Sequence, residues 1–355
     1  MLRVDGGRLV RRSAPISHRD ARNAWTQREG VVLELQCGAL RGAGEASPLP
    51  GFSADDLATC VSELEGCWER LAAVDVDADA DIADILRDGA ARAGARSPAA
   101  VFAVETALLD VVSRARRAPA WAVLRGDDRA AEIPLSALID GPTPAALAEA
   151  AQRAHGRGIR VVKVKIGGPQ GIAHDVERLK AVRDRLGDAV ALRLDANGML
   201  KRDGLEETLH ALAALAPELL EEPTAPEHMF AVAPSPVPLA MDESLLLEGW
   251  DARIRKAAAL HTHVAVVLKP MVLGGFLRSL AIAEAAAAAG LGVLVTHVFD
   301  GSIGSTAAAC LALAVRGRVF PCGLDAHGRF DELPTGLTAS HVMPYAAYGL
   351  GVVTS

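Results

Sequence analysis

Val161–Gly167 reads VVKVKIG, and Leu192–Gly198 reads LRLDANG. Each is a short apolar run that ends on a charged residue, Lys165 in the first and Asp195 in the second. The pattern recurs at Glu221 in ELLEEP, Asp242 in PLAMDES and Lys269 in VAVVLKP. Successive separations are 30, 26, 21 and 27 residues. One strand-plus-helix unit of a parallel barrel takes about 30 residues. The five groups therefore fall at the same end of successive strands and face one point.

Outward from these runs, β-rich stretches alternate with helical ones from about Ile133 onward. The series starts at IPLSALI, passes through PAALAEAAQRAHGRG, VVKVKIG and DVERLKAVRDRLG, and ends at CGLDA, giving eight candidate strands. Such alternation implies a parallel sheet buried on both faces, and eight units favour a closed barrel. Residues 1–50 alternate instead in the manner of strands, with VVLELQCG and GALRGAGEAS forming a hairpin turned on glycine. Ser53 and Ser97 read as caps of two helices, and Val101, Val104, Leu108 and Val111 share one face of the second. The expected fold class is α/β. A modified (β/α)8 TIM-type barrel spans 121–325, an N-terminal α+β capping domain spans 1–120, and a C-terminal segment, 326–355, packs back on the capping domain.

The chemistry follows from the strand ends, where a barrel of this kind carries its active site. One acidic residue at a strand end is ordinarily a helix cap or an ion-pair partner. Asp195, Glu221 and Asp242 on three consecutive strands, with lysines on either side, form a divalent-cation site. Ligands that are all oxygen suit Mg2+ or Mn2+ better than zinc. Lys163 and Lys165 are two apart on a strand and so point the same way, while Val161, Val162, Val164 and Ile166 mark the strand as buried. Each ammonium disfavours the other's charge, and burial and a nearby cation act in the same direction, which lowers the lysine pKa toward that of a general base. Lys269, followed by the strand-ending Pro270, approaches from the opposite flank.

Further residues complete the expected site. Asn197 points the same way as Asp195. Ser302 and Gly304 open the helix after the seventh strand, where backbone N–H groups suit a distal substrate carboxylate. Leu49 and Phe52 read as part of a lid, and His297 in VTHVFDG as a wall residue. The glycines of GPQG and LGG match neither phosphate-loop pattern.

KVK, LDAN, EEP, MDES and VLKP, in this order, resemble the enolase superfamily in its muconate-lactonizing branch. The segment GAGEASPLPGFSADDL, with VTHVFDGSIGS and PCGLDA, resembles the o-succinylbenzoate synthases, although GAGE stands where a tryptophan is usual. The resemblance implies that Asp195, Glu221 and Asp242 bind Mg2+, with the first Glu of EEP as the ligand. It implies that Lys165 abstracts the proton α to a substrate carboxylate, that Lys163 supports it, and that Lys269 stays protonated and steadies the enediolate. Loss of the β-hydroxyl would then convert 2-succinyl-6-hydroxy-2,4-cyclohexadiene-1-carboxylate to 2-succinylbenzoate, a menaquinone precursor. In the mandelate-racemase branch a His after the seventh strand pairs with an Asp after the sixth; here the sixth strand ends in Lys269. The rivals are an N-acylamino acid racemase, a dipeptide epimerase or a muconate cycloisomerase. Dipeptide epimerases carry DxD after the eighth strand, whereas Asp325, a substrate-contact candidate, is followed by Ala326 and His327.

The bulk properties agree with a small-molecule enzyme. A chain of 355 residues suits a barrel plus a smaller domain. A net charge of −7 argues against a nucleic-acid partner. Five cysteines without a CxxC read as buried thiols in a reduced, cytoplasmic protein. The start MLRVDGGRLVRR is too polar for a signal peptide, and no apolar run reaches the length of a membrane span. The expected partner is a small carboxylate substrate, and a homo-oligomer is compatible with the sequence.

Overall fold

The computed structural model describes residues 1–19, 24–72, 76–232, 234–325 and 334–351. Three antiparallel strands open the chain: β1 (Gly6–Arg19), β2 (Ala24–Cys37) and β3 (Leu40–Ala46), in that order across the sheet. Gly38, at φ +62, makes the turn between β2 and β3. Five helices follow: α1 (Leu57–Leu64), α2 (Cys67–Leu71), α3 (Ile82–Ala93), α4 (Pro98–Ala115) and α5 (Ala120–Arg125).

The α1 helix is capped by Asp56, whose side chain accepts from Thr59 N, and not by Ser53. The hydroxyl of Ser53 instead accepts from Leu49 N at 2.9 Å and closes the preceding turn. Ser97 is the N-cap residue of α4, yet its hydroxyl donates to Glu63 at 2.8 Å and not to its own helix.

The GAG stretch explains how β3 meets α4. A Cβ on Gly42 would fall 2.2 Å from Ala107 O, and one on Gly44 would fall 1.8 Å from Ala103 O. Only glycine lets the strand backbone lie directly on the alanine face of the helix. The alternate residues, Ala43 and Glu45, consequently face the other way.

The barrel begins after a short β4 (Ile133–Pro134). Its strands are β5 (Ser136–Ile139), β6 (Val161–Lys165), β7 (Ala191–Asp195), β8 (Leu219–Glu221), β9 (Leu239–Met241), β10 (His263–Leu268) and β11 (Gly292–Val295). These seven form one parallel sheet in sequence order. The eighth position is filled by residues 319–323, which bridge in parallel to Val293 and Thr296 on one side and to Leu135 on the other. The barrel is therefore closed.

Between and after the strands lie α6 (Pro144–Gly156), α7 (Ile172–Leu186), α8 (Leu205–Ala213), α9 (Trp250–Ala259), α10 (Pro270–Leu273), α11 (Phe276–Ala288) and α12 (Ser302–Ala314). Leu219, Ala240, Ala265, Val267, Leu294 and Phe320 form a separate small core. The larger core runs without a break from the capping helices to the outer face of the barrel. Phe102 of α4 meets Phe276 of α11 with ring centroids 5.6 Å apart, a tilted contact of the kind aromatic pairs prefer.

Near the end of the chain, β12 (His341–Val342) pairs with β4. Gly349 exchanges backbone hydrogen bonds with Ala118 and Ala120, and Leu350 N donates to Asp110 of α4. All five cysteines are buried and unpaired. No helix among the described residues is long and apolar enough to cross a membrane.

Candidate active site

Strand register sets the row of charges. Lys165 on β6 lies beside Asp195 on β7, which lies beside Glu221 on β8. Asp242 and Lys269 directly follow β9 and β10. Alternation along β6 buries Val162 and Val164 on one face and turns Lys163 and Lys165 to the other.

Lys163 Nζ donates to Asp195 Oδ2 at 3.0 Å and to Glu221 Oε2 at 2.9 Å. Lys165 Nζ donates to Asn197 Oδ1 at 2.8 Å, and Asn197 Nδ2 donates to Glu243 Oε1 at 3.1 Å. Lys269 Nζ donates to Asp242 Oδ2 and stands 4.5 Å from the centre of the Phe52 ring. The second Glu of EEP, Glu222, turns away at φ +34, and its carboxylate accepts from Asp242 N and from the Ser244 hydroxyl.

Burial alone would lower the pKa of Lys163, but Asp195, Glu221 and Asp242 outweigh it and hold the ammonium above its ordinary value. Lys269 is raised in the same way: Asp242 and Glu243 overcome burial. The expected fall in lysine pKa is thus reversed at Lys163, whose ammonium rests on carboxylates, while Lys269, expected to stay protonated, is held so by its own carboxylate neighbours. Asp195 is also buried, yet Lys163, Lys165 and Lys269 pull it below the usual carboxylate range. Asp242 is pushed well above that range by burial and then by Glu243, with Glu221 and Asp195 adding to the effect.

The three lysines, Asp195 and Glu221 border a cavity of about 730 Å3, whereas Asp242 is not among its lining residues. Lys163, Lys165, Asp195, Asn197, Glu221 and Lys269 are on its wall, as are the sequence candidates Leu49, Phe52, His297 and Asp325. His297 Nδ1 accepts from Phe299 N at 3.1 Å, so a neutral ring carries its proton on Nε2. Asp325 is held by Arg157 in a two-point ion pair, at 2.8 and 2.5 Å.

Ser302 and Gly304 are not on the cavity wall. The backbone N–H groups of Gly301 and Gly304 already donate to Glu45, at 2.6 and 2.9 Å. The N-terminus of α12 is therefore filled by a carboxylate of the capping domain, and a substrate anion there would be repelled. Sequence reading missed Glu45 in this role because it lies 256 residues before Gly301. It also missed Glu243, whose only local signal is its place next to Asp242, and the cavity residues Trp25 and Arg178.

The donor set fits a divalent cation by charge and chemistry. Glu221 Oε1 is buried and has no hydrogen-bond partner among the described residues. Burial first, and then the neighbouring Glu243, Glu221 and Asp195, raise the Asp242 pKa, and a dication would offset both effects. As they stand, no three acidic, His or Cys side chains among the described residues are gathered tightly enough to enclose a metal. Asp195 and Glu221 converge on Lys163, and Asp242 faces Lys269. The carboxylates would have to exchange these ammonium partners for the cation.

A sequence model described as enolase C-terminal domain-like matches residues 146–354, and one described as MenC, N-terminal domain, matches residues 16–85. An o-succinylbenzoate synthase from Thermobifida fusca is 33% identical over 195 residues, 54% of this chain and 59% of that protein. The o-succinylbenzoate synthase from Desulfotalea psychrophila is 29% identical over 332 residues, 84% of this chain and 88% of that protein. The structure of a dipeptide epimerase from Methylococcus capsulatus, complexed with Mg and the dipeptide L-Arg-D-Lys, superposes with a TM-score of 0.84 at 25% identity, covering 99% of this chain and 100% of that one. With the first family match covering more than half of its length and the barrel closed around a row of lysines and carboxylates, the chain belongs to the enolase superfamily.

Proposed function

We propose that this protein is a Mg2+-dependent o-succinylbenzoate synthase. The observation that carries the reading is the order of groups around the cavity: Lys165 at one end of the carboxylate row and Lys269 at the other. Asp195, Glu221 and Asp242 would hold the Mg2+. When bound, the cation supplies Lewis-acid stabilisation of a carbon acid whose conjugate base carries two negative charges.

Lys165 is placed to take the proton α to the substrate carboxylate, with Asn197 fixing its Nζ. Lys269, held charged by Asp242 and Glu243, offsets negative charge that develops on the opposite flank. The electron pair left by the proton then expels the β-hydroxyl, Lys165 returns the proton to it as water, and the ring becomes aromatic. Phe52, Leu49, Leu138 and Phe299 give the ring an apolar surround.

A racemase or epimerase of acylated amino acids or dipeptides is the second reading, since two facing lysines suit proton exchange at one carbon equally well. The state of Asp325 weighs against a dipeptide. A free substrate amine needs an available carboxylate, and Asp325 is already neutralised by Arg157. The deciding experiment is a dehydration assay on the cyclohexadiene carboxylate, with and without EDTA. Turnover that EDTA abolishes is the expected result. Deuterium exchange into N-succinylamino acids without any dehydration would favour the racemase.

A further inference from the structure

Arg28 lies on β2 and is 7% exposed. Its guanidinium joins two separate walls of the cavity. Nε donates to Phe299 O at 3.0 Å, in the loop after β11. Nη1 donates to Pro48 O at 2.9 Å and to Glu29 O at 3.1 Å, and Nη2 donates to Ser47 O. Asp300 Oδ1, at 3.9 Å, supplies an opposite charge.

Glu45, on the neighbouring strand, makes a parallel link. It accepts from Gly301 N, Gly304 N and the Ser47 hydroxyl, the last at 2.5 Å. A Cβ on Gly301 would sit 2.6 Å from Glu45 Oε2, so the loop admits the carboxylate only because that position has no side chain. Neither Arg28 nor Glu45 lines the cavity, but the segments they hold do: Leu49 and Phe52 on one side, His297, Val298 and Phe299 on the other.

We propose that Arg28 and Glu45 are a pair of positioning residues that fix the separation of these two walls and thereby set which substrates the cavity accepts. The inference rests on the cavity being the substrate site proposed above. A lysine cannot replace Arg28, because one ammonium cannot reach carbonyls on both segments in the fork geometry of a guanidinium. Glutamine at position 45 keeps the shape but turns an NH2 toward one of the two backbone donors, so one link is lost.

The test uses full-length Arg28→Lys and Glu45→Gln proteins, with two readouts. In steady-state dehydration of the cyclohexadiene carboxylate, KM should rise about tenfold in each, the loss of one buried charged hydrogen bond. The kcat should stay within about threefold, because Lys165 and its partners are untouched. In hydrogen exchange, the amides of residues 297–304 should exchange about tenfold faster than in the parent. A KM unchanged in both variants, or a fall in kcat at constant KM, would overturn the proposal. If the parent does not turn over this substrate, the proposed function fails by itself. Hydrogen exchange then decides the positioning role, and unchanged protection of 297–304 in both variants overturns it.

Discussion

Replacing Glu105 by Gln should change how stability depends on pH. Glu105 is on α4 of the capping domain and is 3% exposed. Its carboxylate accepts from Phe276 N at 2.5 Å and Leu277 N at 3.2 Å, the first amides of barrel helix α11. Burial raises its pKa from 4.5 to about 7, against the lowering effect of those two amides. The group is therefore a carboxyl whose folded pKa lies above its unfolded one. The folded state binds more protons than the unfolded state between about pH 4.5 and 7, so stability is greatest below that window and falls as pH rises through it. The rise from 4.5 to about 7 corresponds to about 3 kcal/mol.

Glutamine keeps an oxygen for the two amides and removes the titration. Urea denaturation of parent and Glu105→Gln at pH 5 and pH 8 measures the effect, and comparison at each pH cancels the other titrating groups. The variant should gain about 2.5 kcal/mol relative to the parent on going from pH 5 to pH 8. Parallel pH dependence in the two proteins would mean that Glu105 is not held as a buried, partly protonated cap, and the reasoning would fail.

Three further outcomes follow from the same geometry. Lys165→Ala should eliminate solvent exchange of the substrate α-proton, by at least about 10³-fold, while leaving the melting temperature close to that of the parent; retained exchange would remove Lys165 from the role of base. Glu221→Gln should weaken Mg2+ binding at least about tenfold in calorimetry, since it removes a full charge from a buried oxygen pair; undiminished affinity would place the ion elsewhere. None of the five cysteines should react with a thiol reagent in the folded protein at pH 8, and all five should react in denaturant. Burial pushes Cys37, Cys67 and Cys322 up to about 11, and Cys60 and Cys310 up to about 12.

The barrel and its row of charges were legible because two periods coincide in this sequence. Alternation along VVKVK turns both lysines one way, and the spacing of βα units brings Lys165, Asp195 and Glu221 into register. Spacing left Glu221 and Glu222 open and only the family resemblance picked the first; the physical reason, a backbone turn at φ +34 that points Glu222 away, is visible in the structure alone. The cap of α1 was misread for a local reason: Ser53 and Asp56 are both capping residue types, three positions apart, and the turn at Leu49 claims the first. Ser302 and Gly304 were misread for a long-range one. The start of α12 has the form of an anion site, and the anion is Glu45 from the other end of the chain. Lysine pKa values are equally non-local, since Lys163 is governed by carboxylates on two other strands more than by its neighbour on its own.

The proposed site has Asp195, Glu221 and Asp242 sharing one divalent cation between two lysines. Crystals grown with Mn2+ and measured for anomalous scattering test it directly. A single Mn2+ peak is expected in contact with all three carboxylates, with Lys165 and Lys269 on opposite sides of it. Saturating Mn2+ with no peak at these residues, or a peak with both lysines on one side, would contradict it.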